Sequence, residues 1–185
     1  MDTRDRLVRS TQELLWRRGY VGTSPKAIQQ HAEAGQGSMY HHFDGKPALA
    51  LEALRRTAEE MRAAAEAQLG GPGTAYERIE AYLLRERDVL RGCRIGRMAQ
   101  DPDVIASATL REPVAETFSW LRARLAEVIA EELDPAMDPA AVAAAIAAVL
   151  QGGYVLARAA GSPAPFEEAV SGALALLAPH LHPDR

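Results

Sequence analysis

The polar residues between positions 24 and 46 form a set suited to hydrogen bonding with anions and with flat polar edges. Ser24 and Lys26 stand at the predicted start of a short helix, where free N–H groups and the helix dipole favour a phosphate. Gln36, Gly37 and Ser38 open a second short helix. Gln can pair bidentately with adenine, Ser can reach either base type, and Gly lets a backbone approach closely. Tyr40 and His41 follow one turn later, pointing outward toward phosphates, and Lys46 opens the next helix, where it can clamp another. Ile28, Ala32, Met39 and Phe43 supply an apolar underside. Two short helices joined by a compact turn and packed under a preceding helix make a helix-turn-helix.

The elements that must hold this set are helical. Thr3 to Arg18 carries Leu7, Thr11, Leu14 and Leu15 on one stripe, and Gly19 stands where a helix ends. Ser24-Pro25 is a cap followed by a first-turn proline. After Lys46, a long helix reaches about Leu69 and stops at Gly70-Gly71-Pro72-Gly73. Helices are expected over 74–91, over a broken segment 93–109 interrupted at Asp101-Pro102, and over 112–133, 138–160 and 166–177. The expectation is an all-α chain of about nine helices, with a DNA-binding head at 1–46 and a separate helical body at 47–185.

Composition agrees with that class. The chain has 185 residues, 48% hydrophobic and 25% charged, enough to bury a core without disulfides. Its 36 alanines favour helix. One cysteine, Cys93, excludes an intrachain disulfide and a cysteine-based zinc cluster, which suits a reducing cytoplasm. Residues 1–46 hold seven Lys/Arg against five Asp/Glu, while 47–185 hold fourteen against twenty. A mildly basic head on an acidic body, with net charge −4, argues against a nucleoid-type coating protein. The uncharged stretch 139–157 is read as a covered helix rather than a membrane span, because alanine contributes little transfer energy. No targeting segment is expected, since the first residues are charged.

No Gly-x-Ser-x-Gly or His-Glu-x-x-His occurs, so no hydrolase signature supports an enzyme. Gly35-x-Gly37 follows no strand and is no nucleotide loop, His41-His42 point to different sides of a helix, and His180 and His182 belong to a tail. Neither metal nor cofactor is expected.

The stretch Thr23-Ser24, Ile28, Ala32, Gly37-Ser38-Met39-Tyr40-His41-His42-Phe43 and Lys46 resembles the tetracycline-repressor (TetR) family of bacterial regulators, over about 45 residues without a gap. The family's turn glycine is Glu33 here and its usual valine is Ala34, so Gly35 is expected to supply the turn's freedom two residues late. Pro47 replaces a common glutamate. The resemblance implies a ligand-responsive regulator, a repressor released from a palindromic operator by a small apolar or aromatic effector. It also implies that 47–185 is a ligand-binding and dimerisation domain, with a homodimer through the last two helices. The alternative is a helical small-molecule-binding protein or enzyme that uses the helix-turn-helix only for partner contact.

Effector candidates are Met61, Tyr82, Cys93, Met98, Phe118, Trp120 and Tyr154, the bulk of the aromatic and sulfur content of the body. Each also has a plain core reading. Cys93 reads as a small buried hydrophobe or as a sensing thiol, with Arg91, Arg94 and Arg97 close in sequence to favour its thiolate.

Overall fold

In a computed structural model, which describes residues 2–181, the chain is built of ten helices and no strand among those residues. His182 lies outside the described residues. Helix α1 (Thr3–Arg18) buries Leu7, Thr11, Leu14 and Leu15, the stripe the sequence predicts. It is followed by α2 (Pro25–His31), α3 (Gln36–His42) and the long α4 (Gly45–Leu69). Then come α5 (Ala75–Leu84), α6 (Arg94–Met98), α7 (Pro102–Ala106), α8 (Ala108–Ala130), α9 (Pro139–Ala160) and α10 (Ala164–Leu181).

Several ends differ from expectation, for local reasons. Helix α5 starts on a full capping box between Thr74 and Glu77 but stops at Leu84 rather than near Arg91. There the Arg87 guanidinium donates to the carbonyls of Tyr82 and Leu83 and, at 2.8 Å, to that of Arg85. A side chain thus serves the orphan carbonyls that a longer helix would have paired. The broken segment resolves into two helices because Asp101-Pro102 is a cap and first-turn pair, which raises the count to ten. Helix α8 begins at Ala108, before Glu112-Pro113, with the Ser107 hydroxyl accepting from the Leu110 amide at 3.3 Å and Pro113 carried inside.

The turn between α2 and α3 departs from the expected geometry. Glu33 itself takes the left-handed conformation, φ 49°, while Gly35 is extended at φ −69° and caps α3. A side chain in this region costs about 1–2 kcal/mol relative to a glycine. The residue is exposed, so its side chain meets water rather than packing.

The helices pack as two compact units, one of Met1–Glu60 with Arg94–Thr117, the other of Met61–Cys93 with Phe118–Arg185, so the division falls inside α4 and α8. The first unit buries Leu7, Leu14, Ile28, Met39, Leu49 and Ile95, which fixes α2 and α3 beneath α1. The second is built on Leu69, Ile79, Leu83, Leu125, Ile129 and Leu150, joined by Phe166, Val170 and Leu174 of α10. Gly153 is required where α9 meets α10, since a Cβ there would stand 2.9 Å from the Phe166 ring. Arg124 clasps Glu66 with two bonds of 2.9 and 3.0 Å, tying α8 to α4 within this unit.

Candidate nucleic-acid interface

Helix α3, the expected reading helix, is two-sided, as seven residues allow. Met39 is fully buried and Phe43, just past its end, is 7% exposed, while Gln36, Gly37, Tyr40 and His41 face solvent. Gln29 reaches the Met39 sulfur at 3.4 Å, which fixes the underside against α2. Ser38 is half-buried at the edge of the exposed row. Gly37 has an ordinary φ, and a Cβ built on it would meet nothing within 4 Å. The fold therefore gives no reason for glycine at this position.

Helix α2 presents its start to solvent. Ser24 is exposed and accepts the Ala27 amide at 3.1 Å, so its hydroxyl caps the helix while its flank stays open. Lys26 is exposed beside it. Tyr40, half exposed at 52%, and His41 lie one turn into α3.

Lys46 is placed differently from a free phosphate clamp. Its ammonium donates to the Tyr20 carbonyl at 2.8 Å and rests 3.7 Å from the centre of the Tyr20 ring. Burial draws the group below the ordinary lysine range, and the charges of Asp103 and Asp101 act against that. Two of its three N–H donors remain for another acceptor.

The seven effector candidates divide between the units. Met98 belongs to the first and is buried. Met61, Tyr82, Cys93, Phe118, Trp120 and Tyr154 belong to the second. Tyr82, Cys93 and Tyr154 gather near Arg87, which stacks on the Tyr82 ring at 5.3 Å. Burial pushes the Tyr154 phenol up to about 12, with Arg87 opposing and Cys93 and Tyr82 adding to the rise. Tyr154 also meets the Phe166 ring at 4.8 Å. Met61, Phe118 and Trp120 are half-buried, and Trp120 packs against the core of its unit. An open cleft of about 640 Å³ runs between α5 and α10, over Tyr76, Leu83, Arg85, Arg87, Phe166 and Leu174. None of the seven candidates lines it. Of the arginines near Cys93 in sequence, Arg91 pairs with Asp88 and Arg94 with Glu60. No cluster of three metal-ligating side chains occurs among the described residues.

Sequence reading missed two residues that shape these sites. Arg87, in a segment read as helix, instead ends α5. Asp101 was read only as an interruption, yet its carboxylate accepts the Tyr20 and Val21 amides at 2.7 and 3.0 Å. The Asp-Pro pair signals a cap, but no local pattern signals a partner 81 residues away.

Comparison with known proteins agrees with the geometry. Residues 7–53 match the bacterial regulatory proteins of the tetR family, and residues 74–171 match the C-terminal domain of LmrA/YxaF-like transcriptional regulators. The chain is 27% identical over 124 residues to the HTH-type transcriptional regulator LmrA of Bacillus subtilis, covering 63% of this chain and 65% of that one. It is 33% identical over 82 residues to the HTH-type transcriptional repressor NemR of Escherichia coli, covering 44% of this chain and 41% of NemR. A TetR transcriptional regulator from Chloroflexus aurantiacus shares the fold with a TM-score of 0.84 at 26% identity, over 97% of this chain and 96% of that one. With both its head and most of its body matched, the chain belongs to the TetR family of transcriptional regulators and is not an enzyme.

Proposed function

We propose that this regulator is a cytoplasmic homodimeric repressor that binds a palindromic operator and is released from it by a small apolar or aromatic effector. The observation that carries the DNA reading is the exposed row Gln36, Gly37, Tyr40 and His41 above a buried Met39. Gly37 is open on its outer side, so a duplex can come close to its backbone. Gln36 and Ser38 read base edges, and Ser24, Lys26, Tyr40, His41 and Lys46 hold phosphates. These contacts belong to the head, 1–46, and the remainder, 47–185, serves effector and partner.

Helices α9 and α10 supply the dimer surface in this reading. Helix α9 is long and apolar enough to cross a membrane, with a mean hydropathy of 1.9 over its most apolar 18 residues, yet only 33% of that window is buried within the chain. Val155, Leu156 and Leu176 stand exposed on the two helices. A second copy covers that surface without leaving water, as a two-fold interface requires. The effector sits among Tyr82, Tyr154 and Trp120 with Met61, Cys93 and Phe118 of the same unit around them, where flat rings can stack. Its effect on DNA is bounded by its differential affinity for the free and DNA-bound states, about 1–3 kcal/mol.

The test is binding of a labelled duplex from upstream of the protein's own gene at several salt concentrations. Wild type should retard the duplex, and Lys46→Ala should bind specific and mixed-sequence DNA more weakly with a salt slope shallower by about one. An unchanged slope removes Lys46 from the interface, and no retardation at low salt removes the operator.

A further inference from the structure

Asp101 is buried, 7% exposed, and both of its oxygens are in use. One accepts the amides of Asp103 and Val104 at 3.2 and 3.4 Å and so caps α7. The other accepts the amides of Tyr20 and Val21 at 2.7 and 3.0 Å. Those two amides lie in the loop that leads α1 into α2. Gly19, at φ +76°, lets the loop press on this carboxylate, for a Cβ there would stand 2.9 Å from the same oxygen. The Tyr20 carbonyl, on the other side of the residue, accepts from Thr23 N–H at 3.1 Å and from the Lys46 ammonium at 2.8 Å. Thr23 closes the loop by donating its hydroxyl to the Gly19 carbonyl at 2.7 Å.

A helix cap needs one oxygen, and serine supplies it as well as aspartate does. The second oxygen of Asp101 is spent on the loop, with charge-assisted bonds roughly twice as strong as neutral ones. We propose that Asp101 is a positioning residue for operator recognition: its second oxygen fixes the loop that sets the start of α2 and the seat of Lys46. The α7 cap thereby governs how well ordered the head is before it meets DNA. Without the bond, the ordering of the loop falls on the binding step and weakens it. This inference rests on the operator-binding reading above.

Asp101→Ser keeps an oxygen for the α7 cap and withdraws the loop's acceptor, while Asp101→Asn can serve only one of the two amide pairs as acceptor. Amide hydrogen exchange is read by NMR, and affinity is read on a duplex selected from a random library and on a mixed-sequence duplex. In Asp101→Ser, exchange at Tyr20 and Val21 should quicken at least about tenfold, with Asp103 and Val104 nearly unchanged. Affinities for the selected and the mixed duplex should both fall about tenfold, because the start of α2 and Lys46 are read as holding phosphates. A purely structural role would speed exchange across α7 as well and leave both affinities unchanged, which overturns the proposal. Unchanged exchange at Tyr20 and Val21 in a folded variant overturns it too. If neither variant folds, wild-type exchange decides: Tyr20 and Val21 must be as protected as Asp103 and Val104, and rapid exchange refutes the bridge. Failure of wild type to bind either duplex refutes the operator reading instead, leaving the exchange data to judge Asp101.

Discussion

Leu176→Ala tests the dimer surface at the point where the single chain leaves most apolar area uncovered. Leu176 is 77% exposed on α10. Truncation to alanine removes three carbons, worth about 2.4 kcal/mol if each were fully buried at about 0.8 kcal/mol. Because 77% of the residue is uncovered in the lone chain, roughly 1.8 kcal/mol of that is open to an interface. A two-fold axis uses the residue twice, so the dimer loses about 3.7 kcal/mol, and its dissociation constant rises roughly 400-fold. The folded protomer should barely register the change, since a surface substitution stays within about 0.5 kcal/mol. Leu150→Glu makes the contrast: Leu150 is 3% exposed inside its own protomer, so a charge there unfolds the chain rather than splitting a dimer. Sedimentation velocity across nanomolar to micromolar concentrations reads both effects, with circular dichroism as the check on folding. A wild type that sediments as a monomer at micromolar concentration refutes the interface. So does a folded Leu176→Ala whose dissociation constant moves less than about threefold against the expected 400-fold.

Gly37→Ala should fold and gain about 0.5–1 kcal/mol of stability from better helix propensity, while its operator affinity drops, as gel shift and thermal melting together would show. The raised Tyr154 phenol makes a pH prediction: its contribution is intact below the unfolded value near pH 10 and is lost as pH climbs toward about 12, because the unfolded chain releases the proton first. Urea melts on either side of pH 10 should therefore show a steeper alkaline loss in wild type than in Tyr154→Phe, and parallel losses would reject the burial of that hydroxyl. Trp120→Ala should blunt the response to any compound found by thermal shift to lower DNA affinity, with operator binding in its absence nearly intact. A folded variant with an unchanged response places the effector elsewhere, with the α5–α10 cleft the next site to probe.

Local chemistry made most of the helices legible in the sequence. Ser24-Pro25, Thr74 with Glu77, and Asp138-Pro139 are caps whose partners lie within one turn, and each starts a helix where the pattern puts it. The buried stripe of α1 follows from spacing alone. Ends decided by side chains from elsewhere were not legible. Arg87 ends α5 by folding back on three carbonyls, which no periodicity encodes. The α2–α3 turn defeated a rule of thumb, because Glu33 tolerates the left-handed conformation on an exposed turn and Gly35 was left to act as a cap. The exposed row proposed to meet DNA was legible as a row because it lies on one short segment where sequence neighbours are spatial neighbours. The effector candidates come from five different stretches, and aromatic content cannot tell a core ring from a lining ring. That is why Tyr82, Cys93 and Tyr154 gather near Arg87 while Met98 falls in the other unit.

Selection of duplexes from a random-sequence library, followed by measurement of how many protomers sit on the winning duplex, tests the central claim most directly. Enrichment of a palindromic or pseudo-palindromic site is expected, with half-sites about one helical turn or more apart and an even number of protomers bound. Gln36→Ala should then relax preference at one symmetric base pair by about 1–3 kcal/mol. Recovery of no sequence above background, or of a single half-site held by one protomer, would contradict it.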